Sequence, residues 1–147
     1  MTQIERASLP LARAGLDELQ VLAARVFERH DPASIEWRLA RMPETSLFLA
    51  RDGERLVGFK AGYAQTMTRY YSWLGGVDPD YRGQGVAGLL MQAQHDWLRS
   101  TPFEIVETHV NQSNDAMVAL NMKHGLKVTG MFMKRGGANY IMQRDVS

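Results

Sequence analysis

Hydrophobic and polar positions along the chain follow two different periods, which predicts a mixture of helices and strands. In residues 16–28 apolar side chains recur every three or four positions, the period of an amphipathic helix. The same spacing predicts helices at residues 34–42 and 84–99, and a fourth at residues 114–125 that ends at Gly125. These four segments are the helices that the pattern indicates.

Segments rich in β-branched and aromatic residues occupy the intervals between the helices. "SLFLAR" and "RLVGFKAGYA" flank Asp52-Gly53, and an Asp-Gly pair between two such segments is typical of a β-hairpin. In the strand expected at residues 70–77, the pair Gly75-Gly76 indicates a bulge or the close approach of another group. The remaining strands are predicted at residues 3–7, 104–110, 126–134 and 139–146.

In chain order the predicted elements run β-α-α-β-β-β-α-β-α-β-β. The strand-helix-strand unit in the second half requires at least one parallel crossover, so we expect an α/β protein built on one mixed sheet, an α+β arrangement. A chain of 147 residues, 45% of them hydrophobic, is long enough for one compact core. We therefore expect a single domain over residues 1–147.

Composition and charge exclude several classes of protein. The absence of cysteine excludes disulfides, zinc sites built on thiolates and cysteine nucleophiles. With 17 basic and 16 acidic residues, neither nucleic-acid binding nor a polybasic membrane patch is expected. The chain has no signal-peptide pattern and no stretch near the ~20 apolar residues of a membrane span, so we expect a cytoplasmic protein. The oligomeric state stays open, a homodimer included.

The stretch "VDPDYRGQGVAGLL", residues 77–90, places glycines at the beginning of a predicted helix. An interior glycine costs a helix roughly 0.5–1 kcal/mol, so Gly83, Gly85 and Gly88 need a compensating reason. A glycine-rich turn directs unpaired N–H groups and the positive end of the helix dipole at one point, which suits a phosphate. Arg82 adds a full positive charge there.

The three glycines allow two other interpretations. They could merely form a tight turn between a strand and a helix. Their spacing also fits the dinucleotide fingerprint, but the long preceding loop and the predicted hairpin argue against a Rossmann fold. No Gly-Lys-Ser/Thr follows, so the Walker A pattern is not met.

The six residues 82–87, Arg-Gly-Gln-Gly-Val-Ala, match Gln/Arg-x-x-Gly-x-Gly/Ala, the acyl-CoA motif of a known family. A second signature, an asparagine followed by an apolar helix, is similar to residues 114–126. By both signatures and by its element order, the chain resembles the GCN5-related N-acetyltransferase (GNAT) family from end to end.

The resemblance implies acetyl-CoA as co-substrate and assigns residues to bind it. In such proteins the backbone of the glycine turn wraps the pyrophosphate, and the pantetheine arm lies between two strands that splay apart. The backbone at residues 75–77 would face that arm, and the Val77 amide would polarise the thioester carbonyl. The residues implied for the cofactor are Gly75, Gly76, Val77, Arg82, Gly83, Gln84, Gly85, Val86, Ala87, Gly88, Asn114 and Asn121.

Acyl transfer to an amine requires a neutral nitrogen, and two residues could accept its proton. His109 lies five residues before Asn114, where some similar proteins carry a glutamate base. Glu107 shares its strand face and is the second candidate. Alternatively, His109 is a histidine hydrogen-bonded within the sheet, and a dedicated base is not compulsory if binding lowers the pKa of the amine.

Asn121 departs from the family pattern, because many similar proteins have there a tyrosine that acts as general acid. An amide can donate a hydrogen bond to sulfur or pantetheine but supplies no titrating proton. Direct departure of the thiolate, protonation by water and help from an unidentified tyrosine all remain open. Asn114 has helix capping as its alternative role.

The function expected is transfer of an acetyl group from acetyl-CoA to a primary amine by direct attack in a ternary complex. The acceptor, a small molecule or a peptide, is open. The alternatives are a non-catalytic acyl-CoA-binding module and a domain that binds another phosphate ligand. No metal site is expected, and His95 and His124 are predicted to lie on helix surfaces.

Overall fold

The computed structural model describes all 147 residues and confirms the predicted order of elements. The elements are β1 (Thr2–Arg6), α1 (Arg13–Val26), α2 (Pro32–Arg41), β2 (Ser46–Asp52), β3 (Arg55–Ala64), β4 (Arg69–Val77), a 3-10 turn (Pro79–Tyr81), α3 (Val86–Leu98), β5 (Ile105–Asn111), α4 (Asp115–Lys123), β6 (Lys127–Lys134) and β7 (Gly137–Asp145). No helix is both long and apolar enough to cross a membrane.

All seven strands form one sheet in the order β1-β2-β3-β4-β5-β7-β6. Every neighbouring pair is antiparallel except β4 and β5, which are the expected parallel pair. Their pairing extends only from Arg69 opposite Ile105 to Tyr71 opposite Glu107. Beyond that point both strands continue without pairing to each other, and we call the space between them the gap.

Helices cover the sheet on both sides, and each side has its own core. On one side Leu19 and Leu22 of α1 pack with Phe59 of β3, together with residues of α2. On the other side α3 packs its Leu90 against Val57, and α4 lies beside α3. We call these the α1/α2 face and the α3/α4 face.

The bulge expected in β4 is present, but at Trp73 and not at the glycine pair. In the β3–β4 register Ala61 lies opposite Leu74 and the next residue opposite Ser72, which leaves Trp73 as the extra residue. Gly76 has a separate reason to be glycine, since a Cβ there would lie 2.5 Å from a methyl group of α1. The glycine allows α1 to pack directly on β4.

Candidate active site

The glycine turn before α3 has a backbone conformation that favours glycine. Gly83 and Gly85 have φ angles of +76° and +82°, and no atom lies within 4 Å of where their Cβ atoms would be. Because of these left-handed angles, the helix predicted from residue 84 begins only at Val86. Gly85, which the predicted bounds put inside the helix, therefore lies just before it, and only Gly88 is an interior glycine.

The beginning of α3 presents free backbone donors to solvent. The first intrahelical hydrogen bond runs from the N–H of Leu89 to the carbonyl of Gly85, at 3.1 Å. The N–H groups of Val86, Ala87 and Gly88 consequently have no intrahelical acceptor. Since Gly85 carries no capping side chain, these donors and the helix dipole are available to an anion.

The side chains around this turn divide into exposed and packed ones. Arg82 and Gln84 are exposed beside the free N–H groups. The Val86 side chain is buried in the core, so this residue can contribute only its backbone to a ligand. A Cβ on Gly88 would lie 3.4 Å from Nε2 of His124, so this glycine lets α3 and α4 approach each other.

A buried carboxylate holds the turn in place. Asp78 accepts hydrogen bonds from Arg25 at 3.0 Å, from Arg55 at 3.1 Å and from the N–H of Asp80 at 2.9 Å. Burial acts to raise the pKa of Asp78, but the Asp80 N–H and the two guanidinium groups outweigh it, and the pKa is lowered. The connection from β4 to α3 is thus fixed by an ionised side chain.

The end of β4 exposes backbone groups to the gap. The N–H of Asp78 bonds the carbonyl of Val57 on β3 at 2.8 Å. Because successive N–H groups of a strand point to opposite sides, those of Val77 and Gly75 point away from β3, into the gap. At the narrow end, the Thr108 hydroxyl bridges the strands by donating to the Ser72 carbonyl at 3.1 Å.

The two predicted base candidates form one pair on β5. Nε2 of His109 lies 2.8 Å from an Oε of Glu107, and a quarter of the His109 side chain is exposed. Val106 and Val110 pack on the α3/α4 face, so the alternating pair points to the α1/α2 face. The ring of Tyr71 lies 4.8 Å from that of His109, between centroids.

Three further side chains surround the Glu107 carboxylate. Gln143 of β7 donates a hydrogen bond at 2.6 Å, Gln65 donates one at 3.4 Å, and Arg69 lies 3.9 Å away. Burial acts to raise the pKa of Glu107, but the hydrogen bonds outweigh it, so its pKa lies below its ordinary value. The carboxylate is ionised at neutral pH and holds the His109 ring in place.

A shallow groove of about 290 Å³ lies between the α1–α2 connection and the bulge of β4. Its lining includes Glu28, Asp31 and Trp73. Tyr63 lies 6.0 Å from Trp73 and 5.5 Å from Tyr71, between ring centroids, so aromatic rings connect the groove to His109. The groove and the base candidates thus lie on one face of the sheet and are joined by ring contacts.

A larger groove of about 360 Å³ lies along α1 and is remote from His109. Its lining includes Arg25, Arg55 and Asp78, whose charges already pair with one another. These three charges of the larger groove are therefore already neutralised within the protein.

The two asparagines differ in exposure. Asn114 is exposed and caps α4 by accepting a hydrogen bond from the N–H of Met117 at 3.2 Å, so the capping alternative is confirmed. Asn121 is buried on the α3/α4 face, and its amide donates to the sulfur of Met142 at 3.5 Å. Neither side chain contacts the pair formed by His109 and Glu107.

The prediction that His95 lies on a helix surface is wrong. Its side chain is 1% exposed, and Nδ1 lies 2.8 Å from a guanidinium nitrogen of Arg144. Burial is the main reason that its pKa falls to about 3, and the charges of Lys60 and Arg144 act in the same direction. His124 is partly buried, and burial also lowers its pKa.

Several residues around the site were not predicted from the sequence. Gln65, Arg69 and Gln143 reach Glu107 from segments far apart in the chain, and no local pattern marks them. Lys60 is a charged residue within an otherwise apolar strand, and this exception to the hydrophobic pattern could have marked it as a candidate functional residue. No three His, Asp or Glu side chains lie together as metal ligands.

Comparison with known proteins identifies the family. The family model described as "Acetyltransferase (GNAT) family" matches residues 13–126. The N-alpha-acetyltransferase RimI of Mycobacterium tuberculosis is 32% identical, over 92% of this chain and 89% of that protein.

Solved structures of low identity share the fold. The ribosomal-protein-S18-alanine N-acetyltransferase from Escherichia coli has a TM-score of 0.85 at 18% identity, covering 100% of this chain and 95% of that chain. A GNAT family acetyltransferase from Elizabethkingia anophelis, solved with acetyl-CoA bound, has a TM-score of 0.74 at 11% identity, covering 98% and 97%. Together with the family match over more than half of its length, these findings show that the chain belongs to the GNAT family and is an acetyl-CoA-dependent acyltransferase.

Proposed function

We propose that this protein acetylates the α-amino group of a peptide or protein N-terminus. Acetyl-CoA enters the gap from the α3/α4 face, and the amine reaches it from the groove on the α1/α2 face. The observation that carries the proposal is the pair of His109 and Glu107 on the α1/α2 face, which a series of aromatic rings connects to that groove. The 32% identical relative is named as an N-alpha-acetyltransferase, which supports this class of acceptor.

His109 is proposed as the base. Since the Glu107 carboxylate is an acceptor, it fixes a hydrogen on Nε2 of His109, which leaves Nδ1 with a free lone pair. Nδ1 takes the proton of the incoming ammonium, directly or through one water. Glu107 then stabilises the imidazolium as a positioning residue and does not itself take the proton.

The cofactor is proposed to bind mainly through the main chain. The free N–H groups at the beginning of α3, with the exposed Arg82, suit the pyrophosphate. The Val77 N–H, directed into the gap, would donate to the thioester oxygen as it becomes negative during attack. When bound, acetyl-CoA supplies the activated acetyl group, and the amine attacks it directly in a ternary complex.

The groove carries carboxylates suited to a cationic acceptor. Glu28 and Asp31 line it together with Arg29, and two carboxylates against one guanidinium leave it net negative, which attracts a protonated amine before it reaches His109. Asp31 also caps α2 by accepting a hydrogen bond from the N–H of Ser34 at 3.0 Å, which fixes its position.

A non-catalytic acyl-CoA-binding module is the second candidate. The observation that favours it is the buried Asn121, which has no proton to give to a departing thiolate. Turnover separates the two functions.

The first test is acetyl-CoA binding by calorimetry to the wild type, Gly85→Glu and Gly53→Glu. Both glycines have positive φ angles and open space around them, but Gly53 lies in the β2–β3 hairpin. We expect Gly85→Glu to abolish binding through its charge and altered turn, and Gly53→Glu to retain it.

The second test measures thiol release from acetyl-CoA with a short peptide that begins with alanine. Matched peptides carry an acetylated N-terminus or only a lysine side-chain amine. Release that requires the free N-terminus supports the proposal. Saturable binding without release for a set of N-terminal sequences would favour the non-catalytic module, and no wild-type binding would overturn both.

A further inference from the structure

Lys60 lies on the α3/α4 face of the sheet beside the gap. It is directly opposite Phe48 of β2, which packs against α3, and directly opposite residues share a face. On its other side it lies opposite Gly75, where a Cβ would be 3.6 Å from Cγ of Lys60. The missing side chain of Gly75 thus leaves room for the lysine stem to cross β4 toward the gap.

The Lys60 ammonium has no partner of opposite charge. It forms no ion pair or hydrogen bond, and burial of the ammonium lowers the pKa of Lys60 to about 8. The titratable groups on which its charge acts are His95 of α3 and His124 at the end of α4, and neither is an anion. An unpaired, partly buried cation in this position is suited to a negative charge that arises only during the reaction.

Lys60 and position 121 lie on the same face of the sheet. The charge of Lys60 acts on His124, which lies three positions after Asn121 and therefore on the same side of α4. Asn121 is the residue found where similar proteins carry a tyrosine acid. The lysine stem therefore lies against the β4 backbone proposed to face the pantetheine arm, and its charge acts on the end of α4, the helix that lacks the acid.

We infer that Lys60 donates a proton to the departing CoA thiolate, in place of the tyrosine that this chain lacks at position 121. The inference rests on the proposed acetyl transfer. The neutral amine nitrogen of the acceptor bonds to the thioester carbon, the carbon–sulfur bond breaks with its electron pair going to sulfur, and the nitrogen releases one N–H proton to water as it becomes an amide. One proton passes from Nζ of Lys60 to sulfur, giving CoA thiol and neutral Lys60, which then takes a proton back from water.

The decisive measurement needs binding alone. The ultraviolet absorbance of the thiolate is titrated with pH for CoA bound to the wild type, Lys60→Met and the control Lys127→Met, whose lysine is exposed on β6. We expect the apparent pKa of the bound thiol to lie about 1 unit or more below that of free CoA. Lys60→Met should lose this shift, and Lys127→Met should keep it.

Turnover with the alanine peptide gives an independent result. Lys60→Arg keeps the positive charge but cannot release a proton near neutral pH. We expect it to retain the shifted thiol pKa, to lower kcat about tenfold or more, and to lose the decline of kcat above pH 8. This variant decides the question even if Lys60→Met fails to fold.

The failures are distinguishable. If Lys60→Met binds CoA with the wild-type thiol pKa, or Lys60→Arg keeps the wild-type kcat and alkaline decline, Lys60 is not the acid and acetyl transfer stands. Absence of CoA binding by the wild type would overturn both proposals.

Discussion

The two faces of the sheet differ at the gap in how their polar side chains are satisfied. On the α1/α2 face Glu107 is bonded by His109, Gln143 and Gln65. On the α3/α4 face both amide atoms of Gln94 and the hydroxyl of Ser72 are buried without a protein partner.

Buried polar groups are usually hydrogen-bonded, so unpaired ones need an explanation. The difference indicates that the first face is organised before any ligand arrives, as a base and its positioning residue must be. The second face carries groups whose partners are supplied by something else. Acetyl-CoA and water are the partners that the proposed function offers to Gln94, Ser72 and Lys60.

The largest effect is expected from His109→Ala, which removes the proposed base from the organised face. A general base contributes about 10²–10⁴-fold to the rate, and we expect kcat/KM for the alanine peptide to fall by that order. The loss should shrink above pH 8, because the α-amino group is then neutral without help. If thiol release shows the same loss of kcat/KM at every pH, His109 contributes packing to the site and does not act as a base.

The next effect is a pH dependence of stability that belongs to the α3/α4 face. Burial lowers the pKa of His95 to about 3, so below pH ~6.5 the unfolded chain binds a proton that the native state does not. The free energy of unfolding should therefore fall as the pH is lowered, by up to about 1.4 kcal/mol per pH unit and by about 2 kcal/mol in total between pH 6.5 and 4.5.

His95→Asn keeps an acceptor for Arg144 and should flatten that slope in urea unfolding, leaving a remainder from His124. Glu107 contributes in a different window. Because its pKa is lowered in the native state, its stabilisation is lost only below the ordinary glutamate value of about 4.3. If the free energy of unfolding of His95→Asn depends on pH between 6.5 and 5 as steeply as that of the wild type, the pH dependence does not come from His95 and is not a property of the α3/α4 face.

The smallest effect compares two glutamines, one on each face. Gln143→Met removes a 2.6 Å hydrogen bond from a buried carboxylate and should lower the free energy of unfolding by about 1–2 kcal/mol. Gln94→Met replaces an amide that has no protein partner and should change it by less than about 0.5 kcal/mol or raise it. Urea unfolding of the apoprotein measures both, and equal losses would contradict the comparison.

The sequence predicted the parts of the structure that depend on local patterns. Asp52-Gly53 marks the β2–β3 hairpin, and two residues of one strand, His109 and Glu107, necessarily share a face. The prediction for His95 failed because the buried side of α3 is wider than its apolar stripe. Gln94 and His95 are buried as well, and His95 contacts Arg144 of β7. Contacts of Glu107 with Gln143 depend on register between distant strands, which periodicity does not contain.

The short pairing between β4 and β5 has a consequence for how much the sequence of such a chain can change during evolution. Under the proposed function, a cofactor held by main-chain amides in the gap and at the beginning of α3 depends on where the backbone runs and little on which side chains it carries. Substitutions elsewhere are then tolerated as long as pairing between the two strands stays limited to three residues and the gap beyond them stays open.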